Sequence, residues 1–376
     1  MKFILAPDSF KGSLSALEVS KRMERGIKRV FPTSEIKSFP LADGGEGTVD
    51  SLITITNGTF FSDEVYGPLG VKVNAKWGIL GDGKTAVIEM AEASGITLLS
   101  EAELDPLRTS TFGTGELIKK ALDHGCSRII LGIGGSATND GGSGMATALG
   151  VKFLNETGIP LPPGGQALQH LDKIDTANLD QRVFSTEITV ACDVTNPLCG
   201  HEGASAIFGP QKGATPEMVK ELDDSLANFG HKVETYLNKS IISEKGAGAA
   251  GGLGGGLMAF LDATLKPGID LILNLIQFEE ELKNADLVLV GEGKTDNQTA
   301  YGKAPMGVGI RAKQHGVPVF CISGSLSEGY RVLEEHINAF FSIANSPATL
   351  KELSDNASQL VEETVKNVME VYKSSK

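Results

Sequence analysis

The 376-residue sequence lacks most features that tie a chain to a membrane, a nucleic acid or an oxidising compartment. Its four cysteines, Cys126, Cys192, Cys199 and Cys321, form no C-x-x-C pair, and a chain of this length needs no disulfide staples, so they read as reduced thiols. The apolar run Phe3 to Ala6 stops at Pro7-Asp8, too short for a secretory leader, and no stretch approaches the ~20 apolar residues of a membrane span. Basic residues are scarce: 34 Lys and Arg stand against 47 Asp and Glu, a formal net charge of −13. That balance excludes general attraction to nucleic acid or to anionic lipid, and any anionic substrate must be met by local positive charge. Internal repeats, low-complexity tracts and long charge runs are absent as well. The expectation is a cytoplasmic protein with no nucleic-acid and no membrane partner.

Glycine is abundant, with 46 residues, which points to many places where the backbone turns tightly or approaches something closely. With 41% hydrophobic and 22% charged residues the composition is that of a folded globular protein. The length exceeds what one core usually serves, so two α/β domains with a ligand cleft between them are expected.

Lys2–Ala6 reads as a buried strand, followed by a loop and an amphipathic helix to about Val30, which Phe31-Pro32 stops. A second strand at Glu35–Pro40 delivers the chain into Asp43-Gly-Gly-Glu46-Gly-Thr48. From about Phe60 the texture turns β-rich, with Val71–Leu80 and Thr85–Met90 pairing across Gly81-Asp-Gly-Lys84 as an antiparallel ribbon. Further crossover units follow, including the strands Arg128–Ile133 and Glu187–Cys192 and the helix Thr215–Leu237. Asp286–Val290, Val317–Ile322 and Ala339–Ala344 return to parallel-sheet texture. The predicted fold is α/β with two domains: a Rossmann-like parallel-sheet domain built from both chain ends, residues 1–60 and 285–376, and an inserted α/β domain, residues 61–284, with some antiparallel strands.

Several segments carry chemistry. Gly78-Ile-Leu-Gly-Asp-Gly83-Lys84-Thr85 satisfies the P-loop pattern to the letter, but a P-loop needs a helix after it, and Thr85–Met90 fits a returning strand. Lys84 is then a solvated turn residue. Gly132-Ile-Gly134-Gly-Ser-Ala137 approximates a dinucleotide fingerprint, yet Thr138-Asn-Asp-Gly-Gly-Ser-Gly144 places glycines where a Rossmann helix should be running. The segment better suits an anion nest, with Gly134, Gly135 and Gly141 freeing the backbone and Ser136, Thr138 and Asn139 adding side-chain hydrogen bonds.

Ala6-Pro-Asp8-Ser9-Phe-Lys11 sets a carboxylate, a hydroxyl and an ammonium at a strand end; the plain alternative is a capping loop with Ser13 or Ser15 as the cap. The acid-glycine loops at Asp43–Thr48 and Gly291-Glu292-Gly-Lys294-Thr-Asp296 are suited to hold Mg²⁺ through one or two carboxylates, or to take a hydroxyl proton. Asp193 and Lys212 lie in two further loops, and Cys192, Cys199 and His201 lack the paired spacing of a zinc site. His124 and His315 read as helix caps. The run Gly246–Gly256 leads into an apolar helix and reads as close packing against a ligand or strand rather than a linker.

Taken in order, these segments resemble the bacterial type I glycerate kinase family. The shared stretches are APDSFKGSLSA at 6–16, PLADGGEGT at 40–48, IEMAEASG at 88–95, FGTGELI at 112–118 and GIGGSATNDGG at 132–142. They continue with ACDVTNPL at 191–198, FGPQKGA at 208–214, GAAGGLG at 248–254 and DLVLVGEGKTDNQTAYGKAP at 286–305, so the resemblance spans nearly the whole chain. One departure is that the family usually carries an arginine and an aliphatic residue at the positions of Lys294 and Thr295, which exchanges a bidentate fork for a point charge.

The resemblance implies an enzyme that uses ATP and Mg²⁺ to phosphorylate D-glycerate, most often at the 2-hydroxyl, with the 3-hydroxyl as the alternative. The expected roles follow: Gly134, Gly135, Ser136, Thr138, Asn139 and Gly141 cradle the ATP phosphates, and Asp43, Glu46 or Glu292 anchors Mg²⁺. Asp193 and Asp296 orient and deprotonate the acceptor hydroxyl, with Asp8 next in line. Lys11, Lys212 and Lys303 hold the glycerate carboxylate and the transferring phosphoryl group, beside Ser9 and Gln298. Two other classes compete: an NAD(P)-dependent dehydrogenase using Gly132–Ala137, and a non-catalytic binding protein of two lobes. Whether the chain is a monomer or a homo-oligomer stays open.

Overall fold

The computed structural model describes every residue except Asp43, Gly44, Glu46 and Tyr301. Its strands, in chain order, are β1 (Lys2–Pro7), β2 (Glu35–Ser38), β3 (Thr59–Tyr66), β4 (Lys72–Ile79), β5 (Thr85–Glu89), β6 (Arg128–Gly132) and β7 (Lys152–Leu154). They continue with β8 (Lys173–Asp175), β9 (Glu187–Ala191), β10 (Thr264–Lys266), β11 (Leu287–Thr295), β12 (Val319–Leu326) and β13 (Ala339–Ser342). The chain divides into two compact units, Met1–Asp43 with Pro267–Lys376, and Gly44–Lys266.

The first unit is the Rossmann-like one made from both chain ends. Its sheet runs β13-β12-β11-β1-β2 and every pairing is parallel. Phe3, Ile4, Leu5 and Ala6 are fully buried, as a strand covered on both faces requires. Helix Ala16–Val30 opens with a capping box between Ser15 and Glu18, which decides between the two serine caps, and its apolar side sends Val19, Met23 and Ile27 into the core. Against it lies the C-terminal helix Leu350–Ser374, close enough that a Cβ on Gly26 would stand 2.7 Å from the Glu362 carbonyl oxygen. The connection after β1 leads to one edge of the sheet and the connections after β11 to the other. The β1/β11 pair is therefore the topological switch point, where loops diverge and leave room for a ligand.

The second unit carries the mixed sheet β10-β9-β6-β5-β4-β3, parallel from β10 to β5 and antiparallel from β5 to β3. The P-loop look-alike is a hairpin: Gly78 pairs with Val87 and Ile79 with Ala86, and the Asp82 carboxylate accepts from the N–H groups of Lys84 and Thr85. Lys84 is exposed. The core of this unit gathers Trp77, Ile88, Leu131, Val190, Phe229 and Phe260.

The division falls at 43/44 and 266/267 rather than at 60/61 and 284/285. Helix Thr48–Ile55 packs on the second sheet, where a Cβ on Gly78 would meet Ile53 at 2.5 Å. Helix Gly268–Leu275 packs on the first unit, with Ile269 against Gly307 of helix Ala304–Gln314. Among the described residues no helix is long and apolar enough to cross a membrane.

Candidate functional site

In the second unit the parallel strands end at Glu89, Gly132, Ala191 and Lys266, and the connections leave from one edge of the sheet. After β6 comes the glycine loop. Gly134 and Gly135 are exposed, Gly135 at φ +72°, and among the described residues their N–H groups donate to no acceptor. The helix that follows is only Ser143–Ala148, so the segment is not a Rossmann turn feeding a long helix. Two backbone bonds fasten the loop on one side, from Ile96 N–H to the Gly135 carbonyl at 2.8 Å and from Ala137 N–H to the Ser94 carbonyl at 2.9 Å.

Beyond Gly135 the side chains turn inward. Thr138 and Asn139 are completely buried; Asn139 Nδ2 donates to Ser205 Oγ at 2.9 Å, while Thr138 Oγ1 and Asn139 Oδ1 have no partner among the described residues. Gly141, at φ +64°, lies flat against Phe229, where a Cβ would stand 3.0 Å from the ring. These positions shape the loop from within, whereas the sequence pattern places them on its binding face. Lys212 departs from expectation in the same way: it is 1% exposed, and its Nζ donates to Ser136 Oγ at 2.7 Å and to the Thr138 carbonyl at 2.6 Å. Burial pulls its ammonium down to about 7, against the opposing pull of the Asp140 charge.

Asp140 itself escaped the sequence reading. It is fully buried and its carboxylate accepts from the N–H groups of Thr111, Gly142 and Gly144 and from the Thr111 hydroxyl, so it locks the loop to the start of the next helix. Burial nonetheless raises its pKa. The signal available was an aspartate followed by two glycines, an ordinary capping pattern. Glu89 was missed too, a lone carboxylate ending an otherwise apolar strand. It is buried, accepts from Val49 N–H at 2.7 Å, and is pushed by burial up to about 7. Asp193 is exposed two residues beyond β9, whose end pairs in register with the end of β6.

In the first unit the switch point brings together two expected groups. Asp8 N–H donates to the Gly291 carbonyl at 2.8 Å, and a Cβ on Gly293 would lie 3.3 Å from both Phe10 Cα and Lys11 N, so the loop after β1 lies against the end of β11. Ser9 is half-buried and Lys11 exposed. Glu292 is buried; Thr295 and Thr299 hydroxyls donate to its Oε1 at 3.0 and 2.7 Å, and Lys303 Nζ stands 3.7 Å from its Oε2. Burial raises the Glu292 pKa against those bonds. At Asp296 burial acts upward too, but Gln298 N–H and Lys294 outweigh it and hold the carboxyl below its ordinary value.

Lys294 is largely exposed and paired with Asp296 at 3.2 Å, and Gln298 is exposed. Thr295, where the family usually has an aliphatic residue, is buried and shares a 2.6 Å hydrogen bond with Ser323. Asp43 and Glu46, the other expected metal ligands, lie outside the described residues. Among those described, no group of three or more His, Cys, Asp or Glu could hold a metal, which includes Cys192, Cys199 and His201. Glu292 has the donor chemistry for a hard cation, through Oε2 only, since Oε1 is already engaged.

A model of the glycerate kinase family matches residues 3–373. The chain is 49% identical over 377 residues to the glycerate kinase of Bacillus subtilis, covering 100% of this chain and 99% of that one. It is 50% identical over 353 residues to a protein of Escherichia coli named glycerate 2-kinase, covering 94% and 93%. Among solved structures, that of a putative glycerate kinase 2 from Salmonella typhimurium superposes with a TM-score of 0.91 at 46% identity, over 100% of this chain and 99% of that chain. The chain belongs to the glycerate kinase family and is a phosphotransferase with an alcohol group as acceptor.

Proposed function

We propose that the protein transfers the γ-phosphoryl group of ATP to the 2-hydroxyl of D-glycerate. The observation that carries this reading is the exposed Gly134-Gly135 pair, whose N–H groups have no acceptor among the described residues and follow the end of β6, which pairs in register with the end of β9, two residues before Asp193. Such N–H groups suit phosphate oxygens. The choice of the 2-hydroxyl follows the name of the Escherichia coli relative.

In this reading Gly134 and Gly135 hold the nucleotide phosphates, while Ser136, Thr138, Asn139 and Gly141 keep the loop in shape. Lys11 and Lys303, with Ser9 and Gln298, meet the glycerate carboxylate and the charge on the phosphoryl oxygens. The acceptor oxygen forms its bond to the γ-phosphorus as the bond to the ADP oxygen breaks. Its proton passes to the carboxylate of Asp193 or Asp296, with Asp8 the alternative; Asp296, held ionised by Lys294 and Gln298, is able to accept it at neutral pH. Asp43, Glu46 or Glu292, the last through Oε2, would hold Mg²⁺, which would supply charge neutralisation on the phosphates. The four free cysteines support a cytoplasmic site of action.

The test is a coupled ADP-release assay with MgATP and each enantiomer of glycerate, with NMR identification of the product. ADP release with D-glycerate and formation of 2-phosphoglycerate is expected. Formation of 3-phosphoglycerate would overturn the regiochemistry, and glycerate-dependent reduction of NAD(P) without ADP release would overturn the reading as a whole.

A further inference from the structure

We propose that Lys212 is a positioning residue, a buried ammonium strut that fixes the conformation of the Gly134–Asn139 loop without touching a substrate. The idea rests on the reading of that loop as the holder of the ATP phosphates. Lys212 is 1% exposed, so a ligand at the surface of the unit cannot reach it. Its two hydrogen bonds go to Ser136 Oγ at 2.7 Å and to the Thr138 carbonyl at 2.6 Å, one on either side of Ala137. Both acceptors are neutral. Desolvating an ammonium is costly, and an apolar side chain of the same length would fill the space without that cost. What the ammonium adds is direction: two donors spanning two residues of one turn.

The loop needs such a brace. Gly134 and Gly135 have wide backbone freedom, and the residues beyond them leave two buried acceptors, Thr138 Oγ1 and Asn139 Oδ1, without partners among the described residues. The bonds to Ser94 and Ile96 fasten the loop from one side and Lys212 fastens it from another. Lys212 is itself held in place. It ends the 3₁₀ turn Pro210–Lys212, and Gly213, at φ +93°, closes that turn so tightly that a Cβ there would stand 2.8 Å from the Leu104 carbonyl oxygen.

The test uses Lys212→Met and Ser136→Ala in the full chain, with amide hydrogen exchange measured without ligand and steady-state kinetics for both substrates. In Lys212→Met, exchange at the Ala137 amide, which is bonded to the Ser94 carbonyl, accelerates by about tenfold, the scale of one charge-assisted hydrogen bond, while the strand segment 129–131 is unchanged. The KM for ATP rises by a similar factor and the KM for glycerate moves less than about twofold. Ser136→Ala removes one acceptor without emptying the core, shifts the same quantities in the same direction by about threefold, and decides the matter if Lys212→Met does not fold. Unchanged exchange in the loop, or uniform acceleration across the unit, would overturn the strut. Faster loop exchange with a raised KM for glycerate instead of ATP would keep the strut and overturn the assignment of the loop to ATP.

Discussion

Glu89 gives the sharpest quantitative expectation. It ends β5, is 6% exposed, and accepts the Val49 N–H at 2.7 Å, so its carboxyl anchors the start of helix Thr48–Ile55. Burial pushes its pKa from an ordinary 4.5 to about 7, with Glu92 and Asp50 adding repulsion and the Val49 and Gly47 N–H groups opposing it. The native state therefore holds the proton more tightly than the unfolded chain does. Stability contributed by the protonated form is fully present below about 4.5 and is lost as pH rises through about 7. Each pH step between the two values costs ~1.4 kcal/mol, so ionisation of Glu89 costs the native state about 3 kcal/mol by pH 8, as an upper bound. Glu89→Gln keeps an oxygen acceptor for Val49 and never ionises. The variant is expected to match the wild type within about 1 kcal/mol at pH 5 and to be more stable by about 2–3 kcal/mol at pH 8. Trp77, the single tryptophan, reports this locally: it is fully buried in β4 and pairs in register with Ile88, the residue before Glu89. Urea unfolding followed by its fluorescence at pH 5 and pH 8 measures the difference. A stability difference that does not change with pH, or a wild type more stable at pH 8, would refute the reasoning.

Lys84→Ala should retain ATP-dependent turnover within about twofold in the coupled assay, because Lys84 is an exposed hairpin residue; loss of activity would restore the P-loop reading. Gly251→Ala should lose about 3 kcal/mol or more by the same fluorescence-detected unfolding. Gly251 sits at φ +69° with the Thr138 carbonyl oxygen 2.0 Å from where the Cβ would be, so wild-type stability would contradict the packing described. Asp193→Asn and Asp296→Asn should each lower kcat by roughly 10² to 10⁴ with ATP binding near normal by calorimetry, and full turnover in both would remove the proposed bases.

Much of the fold could be read from local pattern. The apolar run Phe3–Ala6 ending at Pro7-Asp8 announces a buried strand with a loop at its end, and β-branched texture after Lys84 identifies the hairpin against a perfect motif. The edge strand β3 was not resolved as a strand, since only Val65 of its eight residues is buried and its inward side gives little alternation. The unit boundary was displaced because Val49–Ile55 has a face that either sheet would accept, and nothing local says that Ile53 meets Gly78. Likewise Phe208-Gly-Pro-Gln-Lys212-Gly reads as a surface turn, and a lysine looks the same in sequence whether its ammonium reaches solvent or a carbonyl inside. Motif reading located the loops; it did not say which side chains in them face outward.

Glycine shows why. The excess of this residue points to tight turns or to ligands approached closely, and the exposed Gly134 and Gly135 suit the second in the role proposed for them. Elsewhere the close approach is of backbone to backbone. A Cβ on Gly251 would strike Thr138, one on Gly256 would stand 2.4 Å from the Gly141 carbonyl oxygen, and one on Gly252 would lie 2.8 Å from Gly141 Cα. The segments 138–142 and 251–256 thus interlock through glycines on both sides, and Gly141 N–H bonds to the Gly251 carbonyl at 3.0 Å. No side chain separates them, so a shift in one is a shift in the other. The exposed pair Gly134-Gly135 has wide backbone freedom but is mounted on a base with almost no slack, and in the role proposed for it that mounting would preorganise the loop for phosphate rather than leave it to be ordered only by its ligand.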